Sequence, residues 1–192
     1  DNAIPDQIAN FLAIPSNRPG IVMEGGAIET NGQGILMTTK GCLLNPNRNP
    51  HLNKQQIEGY LERFYGAKQI WWLGDGLVGD DTDGHIDDMT RFVSARTIVS
   101  ALESNSKDEN YKALQENWER LNGFYFVDGS KPELVALPMP SPVIYQGQRL
   151  PASYANFYIS NDSVWVPIFD DLNDQPALGI LQDCFADKVV RG

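Results

Sequence analysis

Strand-like and helix-like runs recur along the chain in one order, strand, strand, helix, strand, at spacings of roughly 80 to 90 residues. A chain patterned this way is confined to a modular α/β fold, because each helix must bury its apolar face on a neighbouring sheet. IVME (21–24), AIET (27–30) and GILMTT (34–39) read as strands, broken by Gly25-Gly26 and by the turn Asn31-Gly32-Gln33-Gly34. After the polar loop NPNRNPH, Asn53 reads as the N-cap of a helix with Ile57, Tyr60, Leu61, Phe64 and Tyr65 at helical spacing, and Gly66 stops it. QIWWL (69–73) is a buried strand. A strand pair in RFVSARTIVS (91–100) precedes a helix over about 110–121 and the strands FYFVD, ELVALPM and VIYQG. NFYIS (156–160), VWVPIF (164–169), a helix over about 175–185 and the strand KVVR complete the order. No long linker divides the chain, so 1–192 reads as one domain. The last strand-like run reaches Gly192 with no closing element behind it, and the expectation is a domain that is cut.

With 42% hydrophobic and 21% charged residues, a chain of this length buries a core. Its formal charge of −10, with no Lys/Arg-rich stripe, argues against a nucleic-acid partner and suits a small cationic one. No apolar run approaches the about 18 residues of a membrane span, and DNAIPDQIAN lacks the regions of a secretory leader. No membrane partner and a cytoplasmic location are therefore expected. Cys42 and Cys184 stand far apart with no CxxC, which indicates neither a disulfide framework nor a zinc ligand set.

Two stretches carry chemical interest. In VMEGGAIE, Glu24 is followed by two glycines that let a backbone or ligand approach its carboxylate, although a strand-end glutamate before a glycine turn is an equally plain account. In GDDTDGHIDDMTRFV (79–93), five aspartates surround one of the chain's two histidines. A calcium loop with Gly84 sixth would run from Gly79 to Thr90, and both ends lack the required oxygen ligand. Zinc would want more His or Cys than His51 and the two cysteines supply, so no metal is expected. What remains is His85-Ile86-Asp87, where residues two apart in an extended segment share a face. Such a pair can move protons and hold a cation; the alternative is an exposed acidic turn. Asp80, Asp81, Asp83 and Asp88 read as solvated or turn-capping, and Trp71 and Trp72 as core.

The runs EGGAIETNGQGILMTTKGCLLNPNRNPHLNKQQIE, WWLGDGLVGDDTDGHIDDMTRFV and LPASYANFYISNDSVWVPIFDD resemble, in order and spacing, the agmatine deiminase and bacterial-type peptidylarginine deiminase family. The resemblance covers nearly all of the chain and is poorest over 1–18. It implies a pentein fold, an α/β propeller of five ββαβ modules, of which the chain would hold roughly three. It also implies a hydrolase acting on the C–N bonds of linear amidines, with no cofactor, whose substrate is agmatine or, as the alternative, an arginyl peptide.

By the same resemblance, His85 is the general acid/base and Asp87 holds guanidinium nitrogens. Glu24 is the acid of the EGG motif at the substrate site, and Asn156 lies close to it in the YxNFY segment. The family's nucleophilic cysteine belongs to a GGGNxHC-type segment that the chain does not contain, while Cys42 and Cys184 match non-nucleophilic positions and read as buried structural thiols. The resemblance thus implies a fragment of a deiminase, inactive by itself. A non-catalytic cation-binding module, or an assembly piece that self-associates through uncovered module edges, stands beside that reading.

Overall fold

The computed structural model describes residues 3–192. Helix α1 (Ile4–Phe11) leads into extended chain and one 3₁₀ turn, Gly25–Ala27. The first sheet pairs β1 (Ile28–Thr30) antiparallel with β2 (Ile35–Thr39); after the short α2 (Lys40–Leu43) and α3 (Lys54–Tyr65), β3 (Gln69–Leu73) returns parallel to β2. The same ββαβ build recurs with β4 (Thr90–Phe92), β5 (Thr97–Leu102), α4 (Tyr111–Asn122) and β6 (Glu133–Pro138). After a small hairpin of β7 (Ile144–Tyr145) and β8 (Gln148–Arg149), it recurs in β9 (Tyr158–Ile159), β10 (Ser163–Trp165), α5 (Asp174–Cys184) and β11 (Val189–Arg191). In each of these three-stranded sheets the middle strand pairs antiparallel with the strand before it and parallel with the strand that returns after the helix, the long connection that a parallel pair requires. Among the described residues no helix is long and apolar enough to cross a membrane.

Local chemistry explains where the elements stop. Asn53 accepts from the Gln56 amide and Gln56 from the Asn53 amide, so a full capping box opens α3, and Gly66 closes it at φ 68°. Ile57 and Leu61 of that helix are buried against Leu36 and Trp72 on one face of the first sheet, while Phe64 and Tyr65 stay exposed. The opposite face carries Ile35, Met37, Trp71 and Leu73 into a core shared with Phe92, Ile98 and Leu121 of the second unit. Val99, the next residue along β5, instead packs with Tyr154, Val164 and Leu181 of the third. Alternate residues of one strand therefore bind neighbouring units together.

Two expected strands are not strands. Residues 21–24 are extended but unpaired, because the side-chain amide of the buried Asn49 accepts from the Val22 N–H and donates to its carbonyl, each at 2.8 Å, taking the place of a partner strand. FYFVD turns back at once, with the Phe126 N–H on the Ser130 carbonyl, and its Phe124 and Phe126 rings lie 4.9 and 5.3 Å from Trp71. Their aromatic content serves packing rather than pairing. VWVPIF keeps strand geometry only to Trp165, before Pro167.

Arg91 on β4 is the electrostatic junction of the three units. Its Nε donates to Glu29 of β1 at 2.8 Å, its Nη1 to the carbonyls of Ala155 and Phe157 at 3.2 and 2.9 Å, and its guanidinium lies over the Phe157 ring at 4.6 Å. Glu29 also accepts from the Phe92 N–H at 3.0 Å. Burial pushes the Glu29 carboxyl up, and Arg91 opposes that shift. Arg91→Met leaves this carboxylate without its counter-charge and should cost about 3–5 kcal/mol of unfolding free energy. Adding Glu29→Gln should recover part of the loss; urea denaturation of both variants checks it, and a double variant no more stable than Arg91→Met contradicts the assignment.

Candidate active site

The site forms where the EGG turn meets the loop that follows β3. Asn117, on the buried side of α4, accepts from the Gly74 N–H at 2.7 Å and donates to the Asp75 carbonyl at 2.9 Å, and Asn110 accepts from the Val78 N–H at 2.8 Å. Both asparagines are almost fully buried, so this loop backbone is tied to the helix before it turns back. Asp80 then organises the turn: its carboxylate accepts from Thr82 through amide and hydroxyl, and from the amides of Gly84 and His85 at 2.9 and 2.8 Å. Burial alone would raise the Asp80 carboxyl, but these bonds prevail and hold it below its ordinary range. The turn-capping role expected for Asp80 is what the geometry shows.

Glycine makes the close approaches possible. Gly84 lies at φ +97°, and a Cβ on the facing Gly76 would come within 2.1 Å of its Cα. The Gly84 carbonyl accepts from the buried Thr39 hydroxyl at 2.6 Å. Two and three residues on, the amides of Ile86 and Asp87 both donate to the Gly26 carbonyl, at 3.1 and 3.3 Å. A Cβ on Gly26 would stand 2.5 Å from His85 Nδ1 and 2.7 and 2.8 Å from the Asp87 oxygens, whereas one on Gly25 would meet nothing within 4 Å. His85 and Asp87 do share a face, but through this turn around the buried Ile86 rather than through a strand.

Glu24, His85 and Asp87 come together as the sequence suggests. His85 Nε2 lies 3.8 Å from Glu24 Oε1 and Nδ1 lies 4.0 Å from Asp87 Oδ1; the imidazole is only 12% exposed and its Nε2 has no hydrogen-bond partner among the described residues. Burial pushes the Asp87 carboxyl up, opposed by His85 and Arg91. Glu24 has a partner that the sequence reading missed: Arg48 Nε donates to both its oxygens, at 2.8 and 3.0 Å. The same guanidinium reaches Asp83 Oδ2 at 2.8 Å and the Thr82 carbonyl. An arginine within NPNRNP, following a strand and close in space to an acidic loop, was the available signal. Asp83 is accordingly an ion-pair partner and not a free acid; hydrogen bonds from Asn47 and then Arg48 hold its carboxyl down.

Two further residues depart from expectation. Asp88 is not solvated: it is 7% exposed and accepts from Asn156 Nδ2 at 2.7 Å. Burial, then the Asp87 charge, push its carboxyl up to about 7 against the Asn156 hydrogen bond. Asn156 thus approaches the site through Asp88, one residue from Asp87. Cys42 is fully buried as expected, yet it borders the site, since its sulfur and ligand atoms of Glu24 and His85 all lie within 4.8 Å of one another. That trio has the donor types for a metal ion, but burial pushes the Cys42 thiol up to about 12 and the Arg48 cation already engages Glu24, so the local charge disfavours a second cation. Cys184 is partly buried beside the core of the third unit.

A family model described as Porphyromonas-type peptidyl-arginine deiminase matches residues 1–192. A Legionella pneumophila protein assigned by name as an agmatine deiminase is 38% identical over 169 residues, covering 88% of this chain and 49% of the relative. The C. jejuni agmatine deiminase, solved as a cysteine-to-serine variant with substrate bound, superposes with a TM-score of 0.92 at 37% identity, over 100% of this chain and 56% of that one. The agmatine deiminase of Enterococcus faecalis, described as catalysing its reaction, gives 0.92 at 31%, over 100% and 57%. The chain spans about half the length of the curated relatives it matches.

Gly26→Ala should force the EGG turn and the 85–87 loop apart at a cost of about 1–3 kcal/mol, while Gly25→Ala leaves stability nearly unchanged; thermal melting of the pair checks this. Asp88 generates a pH effect. The folded carboxyl keeps its proton up to about 7, whereas the unfolded one releases it near the 3.8 ordinary for an aspartate, so the folded state holds the extra proton between the two. Stability from this group is full below about 4 and lost as pH rises through about 7, by at most about 1.4 kcal/mol per unit. Asp88→Asn should therefore raise the melting temperature at pH 8 and do little at pH 4; equal effects at both pH values would contradict it.

Proposed function

The chain belongs to the Porphyromonas-type peptidyl-arginine deiminase family, and from that membership we propose that it supplies the acid/base and guanidinium-holding half of an agmatine deiminase site. In this reading the three ββαβ units belong to a five-module pentein propeller. The observation that carries the proposal is the Asp87 carboxylate, to which no side chain donates among the described residues, with His85 Nδ1 4.0 Å from its Oδ1. A guanidinium is planar, stays protonated near neutral pH and presents a fork of N–H donors that a carboxylate accepts with charge-assisted bonds. Burial has pushed the Asp87 carboxyl up, and a cation docked on it would restore its charged form.

The reaction is agmatine plus water to N-carbamoylputrescine plus ammonia. A thiolate adds to the guanidinium carbon, His85 passes a proton to the departing nitrogen, and ammonia leaves a thiouronium. His85 then takes a proton from water as the oxygen adds to that carbon, and the C–S bond breaks to return the thiolate. Asp87 holds the two remaining nitrogens and so fixes the carbon for attack. Glu24, whose carboxylate already engages Arg48, keeps a 36% exposed face toward the site, and Asn156 acts next to it through Asp88.

Neither thiol of the 192 residues has the character of the nucleophile. Cys42 is fully buried and held near 12, and burial also raises Cys184, whereas attack requires a thiolate. We therefore propose that this chain alone binds the substrate without turning it over. Incubated with agmatine or an arginyl peptide, it should release no ureido product above buffer, and turnover would overturn the nucleophile assignment. Calorimetry should show agmatine binding that weakens at least tenfold in Asp87→Asn. Absence of binding by the parent chain, an unchanged affinity in the variant, or preference for the peptide would each count against the agmatine reading.

A further inference from the structure

We propose that Arg149 is a positioning residue: latched to Asp108, it presses the β7–β8 hairpin onto Gly79 and so fixes the loop that carries His85. The proposal deepens the acid/base role of His85 and rests on it. The ion pair is enclosed, with 10% of the Arg149 side chain and 6% of the Asp108 side chain exposed, and Arg149 Nη1 lies 2.9 Å from Asp108 Oδ1. Glu109, 3.7 Å from the same nitrogen, is 70% exposed and adds little. The hairpin turns through Gln146 and Gly147, both at positive φ, and the Leu150 N–H on the Val143 carbonyl closes it. The chain leading into it is tied to the third unit, since Asn173 donates to the Met139 carbonyl and Asp171 accepts from the Ser141 N–H. Among the described residues, Arg149 supplies the hairpin's only side-chain ion pair or hydrogen bond to the second unit.

The contacts close a ring. Asp108 Oδ1 also accepts from the Asn110 N–H at 2.8 Å, and the Asn110 side chain accepts from the Val78 N–H at the same length. The next residue, Gly79, returns to the start: it lies at φ +89°, and a Cβ on it would stand 2.1 Å from the Arg149 carbonyl oxygen and 2.8 Å from the carbonyl carbon. Backbone therefore meets backbone where a side chain of any size would part them. Asp80 follows directly, and its carboxylate accepts from the amides of Gly84 and His85. The loop is thus held from one side by Asn110 and from the other by the hairpin, and both restraints meet at Asp108. Without Arg149 the buried Asp108 carboxylate loses its counter-charge, the hairpin loses its latch, and Gly79 loses the surface it rests on.

The test reads the loop without any ligand, so its failure is separate from a failure of the agmatine reading. In amide hydrogen exchange, Arg149→Met should speed the Gly84 and His85 amides about tenfold and leave those of Phe169 and Asp171, which bond Asp174 in the third unit, at the parent rate. A loss of global stability alone would speed both pairs alike. Because a single guanidinium nitrogen engages Asp108, Arg149→Lys should return the Gly84 and His85 amides to within about threefold of the parent. The His85 ring signals, displaced in Arg149→Met, should return with them. Unchanged Gly84 and His85 exchange in folded Arg149→Met, equal acceleration at both pairs, or no recovery in Arg149→Lys overturns the proposal. Where Arg149→Met does not fold, the parent decides: its Arg149 Nη groups should give separate, slowly rotating ¹⁵N resonances that merge in Asp108→Asn. A single averaged resonance in the parent overturns the proposal.

Discussion

The hydrogen that Gly26 carries in place of a side chain sets the geometry of the site. Its carbonyl collects the amides of Ile86 and Asp87, and the space where a Cβ would be is taken by the imidazole of His85 and the carboxylate of Asp87. A bond of this kind needs the approaching loop to be narrow as well, and Gly84 packed on Gly76 makes it so. Side chains then follow from backbone: once Ile86 is driven into the core between them, His85 and Asp87 have only the Gly26 side to occupy.

A protein of formal charge −10 places its few cations with economy. Arg91, on the second unit, donates to acceptors in the first and third, so the segments that contribute Glu24 and Asp87 are fixed relative to the one that contributes Asn156. Arg48 does the same on a smaller scale, joining the EGG segment to the acidic turn. Carboxylates near the site therefore separate into two kinds. Asp80, Asp83 and Glu24 have donors of their own, whereas burial pushes Asp87 and Asp88 toward protonation, Asp88 in spite of its bond from Asn156. The second kind gains most from an arriving cation, because binding relieves a desolvation cost already present.

Much of this was legible because it rests on local rules. Helical spacing from Ile57 to Leu61, the Asn53 cap and the Gly66 stop define α3 without reference to the rest of the chain. Short β-branched and aromatic runs bounded by turn residues likewise located the central strands of each unit, and the EGG and HxD motifs, with the family resemblance, pointed to Glu24, His85 and Asp87. What escaped depends on partners distant in sequence. Residues 21–24 have the composition of a strand, but their backbone groups are met by Asn49, and nothing local distinguishes an asparagine that mimics a strand from one in a loop. Asn110 and Asn117 are ordinary polar residues of a helix until the loop that they hold is brought against them. Asp88 and Asp83 look alike in sequence, and only tertiary burial separates an acid near 7 from an ion-pair partner.

The Arg48 interaction also bears on why the proposed guanidinium site should contain a guanidinium of its own. A carboxylate pair open to solvent would be satisfied by water and by protons, and it would reorganise when a ligand arrived. With Arg48 occupying Glu24, one member of the pair is already neutralised and immobile, and the remaining charge is concentrated at Asp87, on the Nδ1 side of the imidazole. Selectivity for a cation is then a property of one carboxylate rather than of the acidic loop as a whole. Five aspartates between residues 79 and 93 make the loop look like a general cation trap, yet three of them are consumed in shaping it or in holding Arg48 and Asn156.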